Sequence, residues 1–156
     1  MKMDAEISEC GQYRYFLSRV WDESKPGVLW IMLNPSTADH VENDNTIRRC
    51  ITFSQDLGAG HLGVVNLFAL RSKNPDDLKI AEDPVGPEND KAILAKLNEY
   101  TTIIAGWGTK GSYLGRNQQV IDLIKSNTTL HCLKRTKHGH PQHPLYVPRK
   151  IDLIEL

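Results

Sequence analysis

Two stretches of the chain are apolar at almost every position instead of alternating. Gly27-Val28-Leu29-Trp30-Ile31-Met32-Leu33 is one, and His61 to Leu70 is the other. Runs of this length predict strands buried on both faces, as in a parallel sheet covered by helices. The first stops at Asn34-Pro35-Ser36, where a residue without an N–H ends the ladder. Tyr13 to Trp21 alternates and is rich in aromatics, which predicts a strand that is antiparallel or at an edge. Thr101 to Ala105, broken by Gly106-Trp107-Gly108, and Thr128 to Arg135 predict a third and a fourth buried strand, and Lys150 to Leu156 a last short one. Helical spacing appears between them. Ile47, Cys50, Ile51 and Ser54 recur at i, i+3, i+4 and i+7 in a helix over 44–57, with Asn43 or Asp44 as its cap and Gly58 and Gly60 beyond its end. Asn74-Pro75-Asp76-Asp77 reads as a helix start. Glu88 to Tyr100, with Ile93, Leu94 and Leu97 facing inward, and Arg116 to Ser126 complete the set.

Strands alternating with helices predict an α/β fold with three layers, α/β/α, around a mainly parallel four-stranded sheet, plus an N-terminal edge strand or hairpin. The 156 residues suit a single domain over 1–156. Hydrophobic content of 40% fills one core, and no run of 18 apolar residues spans a membrane. The first residues lack the apolar region of a secretory signal, and Cys10, Cys50 and Cys132 are an odd set without paired spacing. A cytoplasmic protein with reduced thiols is expected. Net charge is zero, yet Lys125 to Lys150 holds six Lys/Arg, four His and no acid. Such a segment suits phosphates, or it is simply a solvated face.

Ligands of parallel α/β sheets bind beyond the carboxyl ends of the strands. The exits here carry Asn34-Pro35-Ser36-Thr37, then Asn66 with Phe68 and Arg71, then Trp107 with Thr109 and Lys110, then the stretch from Arg135 through Tyr146. They are rich in amides, imidazoles, aromatics and cations and poor in carboxylates, with Asp39 and Asp44 the nearest in sequence. Gly106-Trp107-Gly108-Thr109-Lys110-Gly111 formally matches the G-x-G-x-x-G of dinucleotide sites, but a bulky Trp sits between its first two glycines. Lys134 and Arg135 stand where an acid would hold a ribose, a pattern tolerable only to NADP. His138, His140 and His143 have no Cys or carboxylate beside them, so no metal is expected and no cofactor is required. Cys50 lies on an apolar helix face, so it packs rather than reacts. The residues that remain suit a planar heterocycle beside a sugar-phosphate. Asn66 offers one donor and one acceptor to a base edge, Phe68 or Trp107 a stacking face, His140 or His143 a donor to a departing base, and Asn34 a hold on water. The structural alternative is that Asn34 caps its turn and Asn66 ties loops together.

Four segments, Leu33-Asn34-Pro35-Ser36-Thr37-Ala38-Asp39, Asp44-Asn45-Thr46-Ile47-Arg48-Arg49, Val65-Asn66-Leu67-Phe68-Ala69 with Arg71, and His143-Pro144-Leu145-Tyr146, resemble a bacterial and phage family catalogued as domain of unknown function number 1643. The order of signatures also resembles the uracil-DNA glycosylase superfamily more distantly. Asn34-Pro35 is similar to the loop that positions the attacking water in its mismatch-specific branch. Asn66 is similar to the base-reading residue, Ala105-Gly106-Trp107-Gly108 to a third-strand end, and His140-Pro141-Gln142-His143-Pro144-Leu145 to the late loop whose imidazole steadies the leaving base. Met32 stands where that superfamily usually has Gly, Ser36 where it has Gly or Tyr, and the late loop carries one extra residue.

That resemblance implies a glycosylase-like fold and DNA or a nucleotide as partner. It implies catalytic roles for Asn34 with His140 or His143, and base or ligand contacts from Pro35, Ser36, Thr37, Asn66, Phe68, Trp107, Leu145 and Tyr146. Leu145 or Tyr146 would fill the gap left by a flipped nucleotide. Phosphate contacts are expected from Arg48, Arg49, Arg71, Lys110, Lys134, Arg135 and Lys137, supported by Arg149 and Lys150. Three functions follow: excision of a modified or mispaired base, non-catalytic binding of nucleic acid or nucleotide, and an enzyme on a small nucleotide or NADP-type ligand.

Overall fold

A computed structural model describes all 156 residues. Seven strands, β1 (Lys2–Ile7), β2 (Arg14–Val20), β3 (Gly27–Met32), β4 (His61–Asn66), β5 (Thr102–Ala105), β6 (Leu130–Cys132) and β7 (Ile154–Glu155), form one sheet in the order β1-β2-β4-β3-β5-β6-β7. The fold is α/β, but the sheet is larger than the expected four strands and is mixed. β4, β3, β5 and β6 run parallel, whereas β1, β2 and β7 pair antiparallel at the two flanks. β1 and β2 form the expected N-terminal antiparallel hairpin, with β1 at the edge, where its KMDAEI alternation buries only part of one side. β2 is internal, covered at its outer edge by β1.

β3 shows why an unbroken apolar run is needed. Val28, Trp30 and Met32 join a cluster with Ile47, Cys50, Ile51 and Phe53 of helix α1 (Asn45–Asp56). Leu29 and Ile31 join the opposite cluster, with Ile93 and Leu97 of α3 (Asn89–Leu97) and Val120 and Ile124 of α4 (Arg116–Ile124). Successive side chains point to opposite faces, so a strand roofed on both sides has no polar position to spare. Asp44 caps α1, its Oδ1 accepting from the Ile47 N–H at 2.9 Å. The Asn74 start yields only one helical turn, α2 (Asp77–Ile80), after which the backbone turns extended at Ala81. β4 ends at Asn66, earlier than its apolar run. Beyond it the Leu67 and Phe68 N–H groups donate to the carbonyls of Met32 and Leu33, and the chain stays buried as it leaves the sheet.

Candidate functional site

A cavity of about 580 Å³ opens at the carboxyl ends of β3, β4 and β5. That lies within the range of about 300–1,000 Å³ usual for small-ligand sites. Asn34, Pro35, Ser36, Asn66, Trp107, Lys110, His143, Leu145 and Tyr146 line it together, from four separate strand exits. Other expected site residues lie elsewhere. Phe68 is fully buried in the core cluster with Leu78, Ile93 and Trp107, so it offers no stacking face. Thr37 and Arg71 line a shallower neighbouring depression. Arg48 bonds Asn45 Oδ1 and the Asn43 carbonyl at the start of its own helix. Arg49 donates to the carbonyls of Pro144 (3.3 Å) and Val147 (2.5 Å) and lies over the Phe53 ring, fastening the late loop to α1. Two of its nitrogens, Nε and Nη2, are thus committed to the backbone. Lys134, Arg135 and Lys137 are exposed on the loop after β6 and do not line the cavity, and Arg135 bonds the Glu155 carbonyl.

Of the two candidate imidazoles, only His143 reaches the cavity; His140 sits in a turn that its own backbone closes onto Thr136. His143 Nδ1 accepts from the Leu145 N–H at 3.2 Å. An acceptor at Nδ1 in a neutral ring places the proton on Nε2. Burial pushes the His143 pKa below its ordinary value, against the pull of Asp44, so the neutral form prevails at pH 7. The side chain therefore presents a neutral N–H donor. No group of three or more His, Cys, Asp or Glu side chains is placed to hold a metal ion. Burial also pushes the Cys50 thiol well up, which leaves it unreactive.

The two candidate asparagines differ from each other. Asn34 Nδ2 donates to the carbonyls of Pro35 (3.1 Å) and Ser72 (3.0 Å), tying the β3 exit to the loop after β4. Asn66 is 1% exposed at the cavity wall, and neither its Nδ2 nor its Oδ1 has a partner. Loop tying at β4 falls instead to Asn89, whose Nδ2 donates to the Asn66 and Leu67 carbonyls at 2.9 and 3.1 Å. Six buried side-chain polar atoms in the whole chain lack a partner, and four of them belong to cavity-lining residues: Arg14 Nε, Asn66 Nδ2, Asn66 Oδ1 and Trp107 Nε1. Buried polar groups are satisfied almost everywhere in folded proteins, so this concentration marks a place completed by something else.

The Gly-Trp-Gly segment has a steric explanation. A Cβ on Gly111 would stand 2.2 Å from Trp107 Cδ1, and one on Gly106 2.9 Å from Met32 Sδ. Gly108 adopts φ +71°, a left-handed conformation suited to glycine. These glycines seat the Trp107 indole, and Met32 lies in the space that Gly106 leaves.

Several lining residues are not among those expected from the sequence, Asp44, Arg14 and Lys73 among them. Asp44 is the one carboxylate of the cavity wall; its Oδ1 caps α1, and Oδ2 is left without a protein partner. Its helix brings it to the β3 exit, and the capping pattern in the sequence placed that end without showing its neighbour. Arg14 opens β2, whose antiparallel run puts its start at the carboxyl end of β4. Only the sheet order reveals that.

A family profile described as protein of unknown function (DUF1643) matches residues 14–145. The chain belongs to this family. The matched span holds every cavity-lining residue except Tyr146. No curated protein and no solved structure matches the chain significantly.

Proposed function

We propose that the cavity receives a nucleobase and that the protein hydrolyses the bond between that base and its sugar. The observation that carries this reading is Asn66: a buried amide with a free donor and a free acceptor, at the wall of a small-ligand cavity. Adjacent donor and acceptor are what a base edge demands, and an unmet pair discriminates strongly because the wrong ligand leaves it unpaired. The Trp107 indole reaches the same wall from the core cluster, 2% exposed, and brings to it the unpartnered Nε1–H. The distant likeness to the uracil-DNA glycosylase superfamily points the same way, since Asn34, Asn66, Trp107 and His143 all line one cavity.

The chemistry divides among named groups. The base departs with the electron pair of the glycosidic bond, and the His143 Nε2–H donates to the oxygen where charge collects. Water adds to the sugar carbon and passes its proton to Asp44 Oδ2, a group better suited to that role than an amide. Asn34 keeps its loop in place through Nδ2, which leaves Oδ1 to accept from the water.

The test is release of free base, followed by chromatography, from oligonucleotides and mononucleotides. The bases would be uracil, mispaired thymine, hydroxymethyluracil, glucosylated hydroxymethylcytosine, hypoxanthine and alkylated bases. Asp44→Asn keeps a competent helix cap while removing the base. His143→Ala is expected to lose about 100- to 1,000-fold in rate. Release by the wild type that survives both substitutions contradicts this assignment of roles. Binding without release of any base supports a recognition module instead.

A further inference from the structure

We propose that Arg14 receives the terminal phosphate of a mononucleotide, so that the substrate class is a free nucleoside 5′-monophosphate rather than a base within a DNA strand. This rests on the nucleobase reading of the cavity and specifies its ligand. The chain buries three arginines, Arg14, Arg19 and Arg116, each exposed by 2% or less. Arg19 donates to Asn43 Oδ1 and to the carbonyls of Asp4, Ser18, Asp39 and Glu42. Arg116 donates to the Leu67 carbonyl at 2.7 Å and to Asp90 Oδ1 at 2.5 Å. These two are structural, saturated by loops that they hold. The Arg14 side chain makes one hydrogen bond, Nη1 to the Ala38 carbonyl at 3.0 Å, and forms no ion pair. Its Nε is buried without a partner, and the residue lines the cavity.

A guanidinium does not escape burial by losing its proton at neutral pH; desolvation lowers the Arg14 pKa only to about 10. The Asp44 carboxylate pulls that pKa back up but makes no hydrogen bond with the guanidinium, and a buried cation so incompletely compensated is strongly unfavourable. The cavity carries an excess of cations. Lys73 and Lys110 line it with Arg14, Lys110 being paired with Asp76 at 3.9 Å, against the single lining carboxylate of Asp44, in a chain whose net charge is zero. A phosphate monoester brings about −1.5 to −2 charges and three acceptor oxygens, which match a planar fork of donors. The depth of Arg14 decides between the two forms of nucleotide. An internal phosphate of a polymer continues into chain on both sides and is met by exposed cations along a groove. A guanidinium exposed by only 2% inside a cavity is reached by a group at the end of a small molecule. The exposed Lys134, Arg135 and Lys137, which would suit a strand, lie off the cavity.

Calorimetric titration tests this with deoxyuridine, thymidine, deoxycytidine and inosine, their 5′-monophosphates, inorganic phosphate, and a single-stranded oligonucleotide containing uracil. The proteins are wild type, Arg14→Met, Arg14→Lys and Asn66→Leu, each checked for folding by circular dichroism. For at least one base, the wild type is expected to bind the monophosphate 10-fold or more tighter than the nucleoside. That ratio falls to about one in Arg14→Met and stays intermediate in Arg14→Lys, which decides the matter if the Met variant does not fold. Equal affinity for nucleoside and monophosphate, or tighter binding of the oligonucleotide with no dependence on Arg14, overturns the inference and leaves the nucleobase reading standing. Inorganic phosphate binding as tightly as every monophosphate, unaffected by Asn66→Leu, retains the anion site and refutes the nucleobase reading. Binding of no member of the panel overturns both.

Discussion

Replacing Asn66 by Leu should make the protein more stable while abolishing ligand binding. The wild-type side chain is 1% exposed and its two polar atoms are unpartnered, so the folded state carries the desolvation of an amide with no hydrogen bond in return. That penalty is about 1–3 kcal/mol. Leu has the same branching at Cγ and neighbours Met32 and Val64, which are apolar. A chain of this size gains about 2–4 °C in Tm per kcal/mol, so the expected rise is about 2–12 °C. Asn89→Leu supplies the opposite case. Its Nδ2 holds the carbonyls of Asn66 and Leu67, which would be left unpaired, so this substitution should lower stability by about 1–3 kcal/mol. Urea unfolding of the ligand-free proteins, with unchanged slope, measures both. A fall in stability for Asn66→Leu as large as that for Asn89→Leu would refute the reasoning, because the Asn66 amide would then be satisfied within the folded protein and would hold structure rather than await a ligand.

Gly111→Ala forces a Cβ to 2.2 Å from the Trp107 indole. It should destabilise by about 1–3 kcal/mol, and titration should show weaker nucleotide binding because the aromatic wall moves. His143 has a folded pKa below its unfolded value, so the unfolded chain takes up the proton first as pH falls. Its contribution to stability is therefore complete above the unfolded pKa of about 6.5 and is lost as pH drops towards the lower folded value. Denaturation at pH 7.5 and pH 5 should show a smaller acid loss in His143→Gln than in the wild type. Arg49→Lys should loosen the late loop despite conserving charge, since a single ammonium does not reproduce the two carbonyl contacts and the stacking on Phe53. Faster amide exchange at Leu145 and Tyr146 checks it; an unchanged rate argues that Pro144 and Val147 are fixed by other contacts.

Much of the frame was legible in the sequence for simple reasons. The run from Val28 to Met32 has no polar position, which only a strand covered on both faces tolerates. The capping carboxylate of Asp44 marked the start of α1. What stayed hidden depended on neighbours in space. Arg14 reaches the site because β2 runs against β4, a fact of sheet order. Phe68 looked like a stacking face because it follows Asn66, yet its chain bonds to the β3 exit and keeps the ring in the core. The sequence leaves each asparagine open between a ligand and its own loops. The bonded Nδ2 of Asn34 and the unpartnered amide of Asn66 separate them, and sequence records no partners.

The Asn66 amide waits for a base edge, and its own resonances report on that directly. In a ¹⁵N-labelled protein, the side-chain NH₂ pair of Asn66 is identified by its absence from Asn66→Leu spectra, and a nucleoside monophosphate bound by the protein is then added. The Asn66 pair should shift downfield on saturation as its hydrogen bond forms, while the already bonded pair of Asn89 stays in place. An Asn66 pair that does not move when the ligand is bound would contradict it.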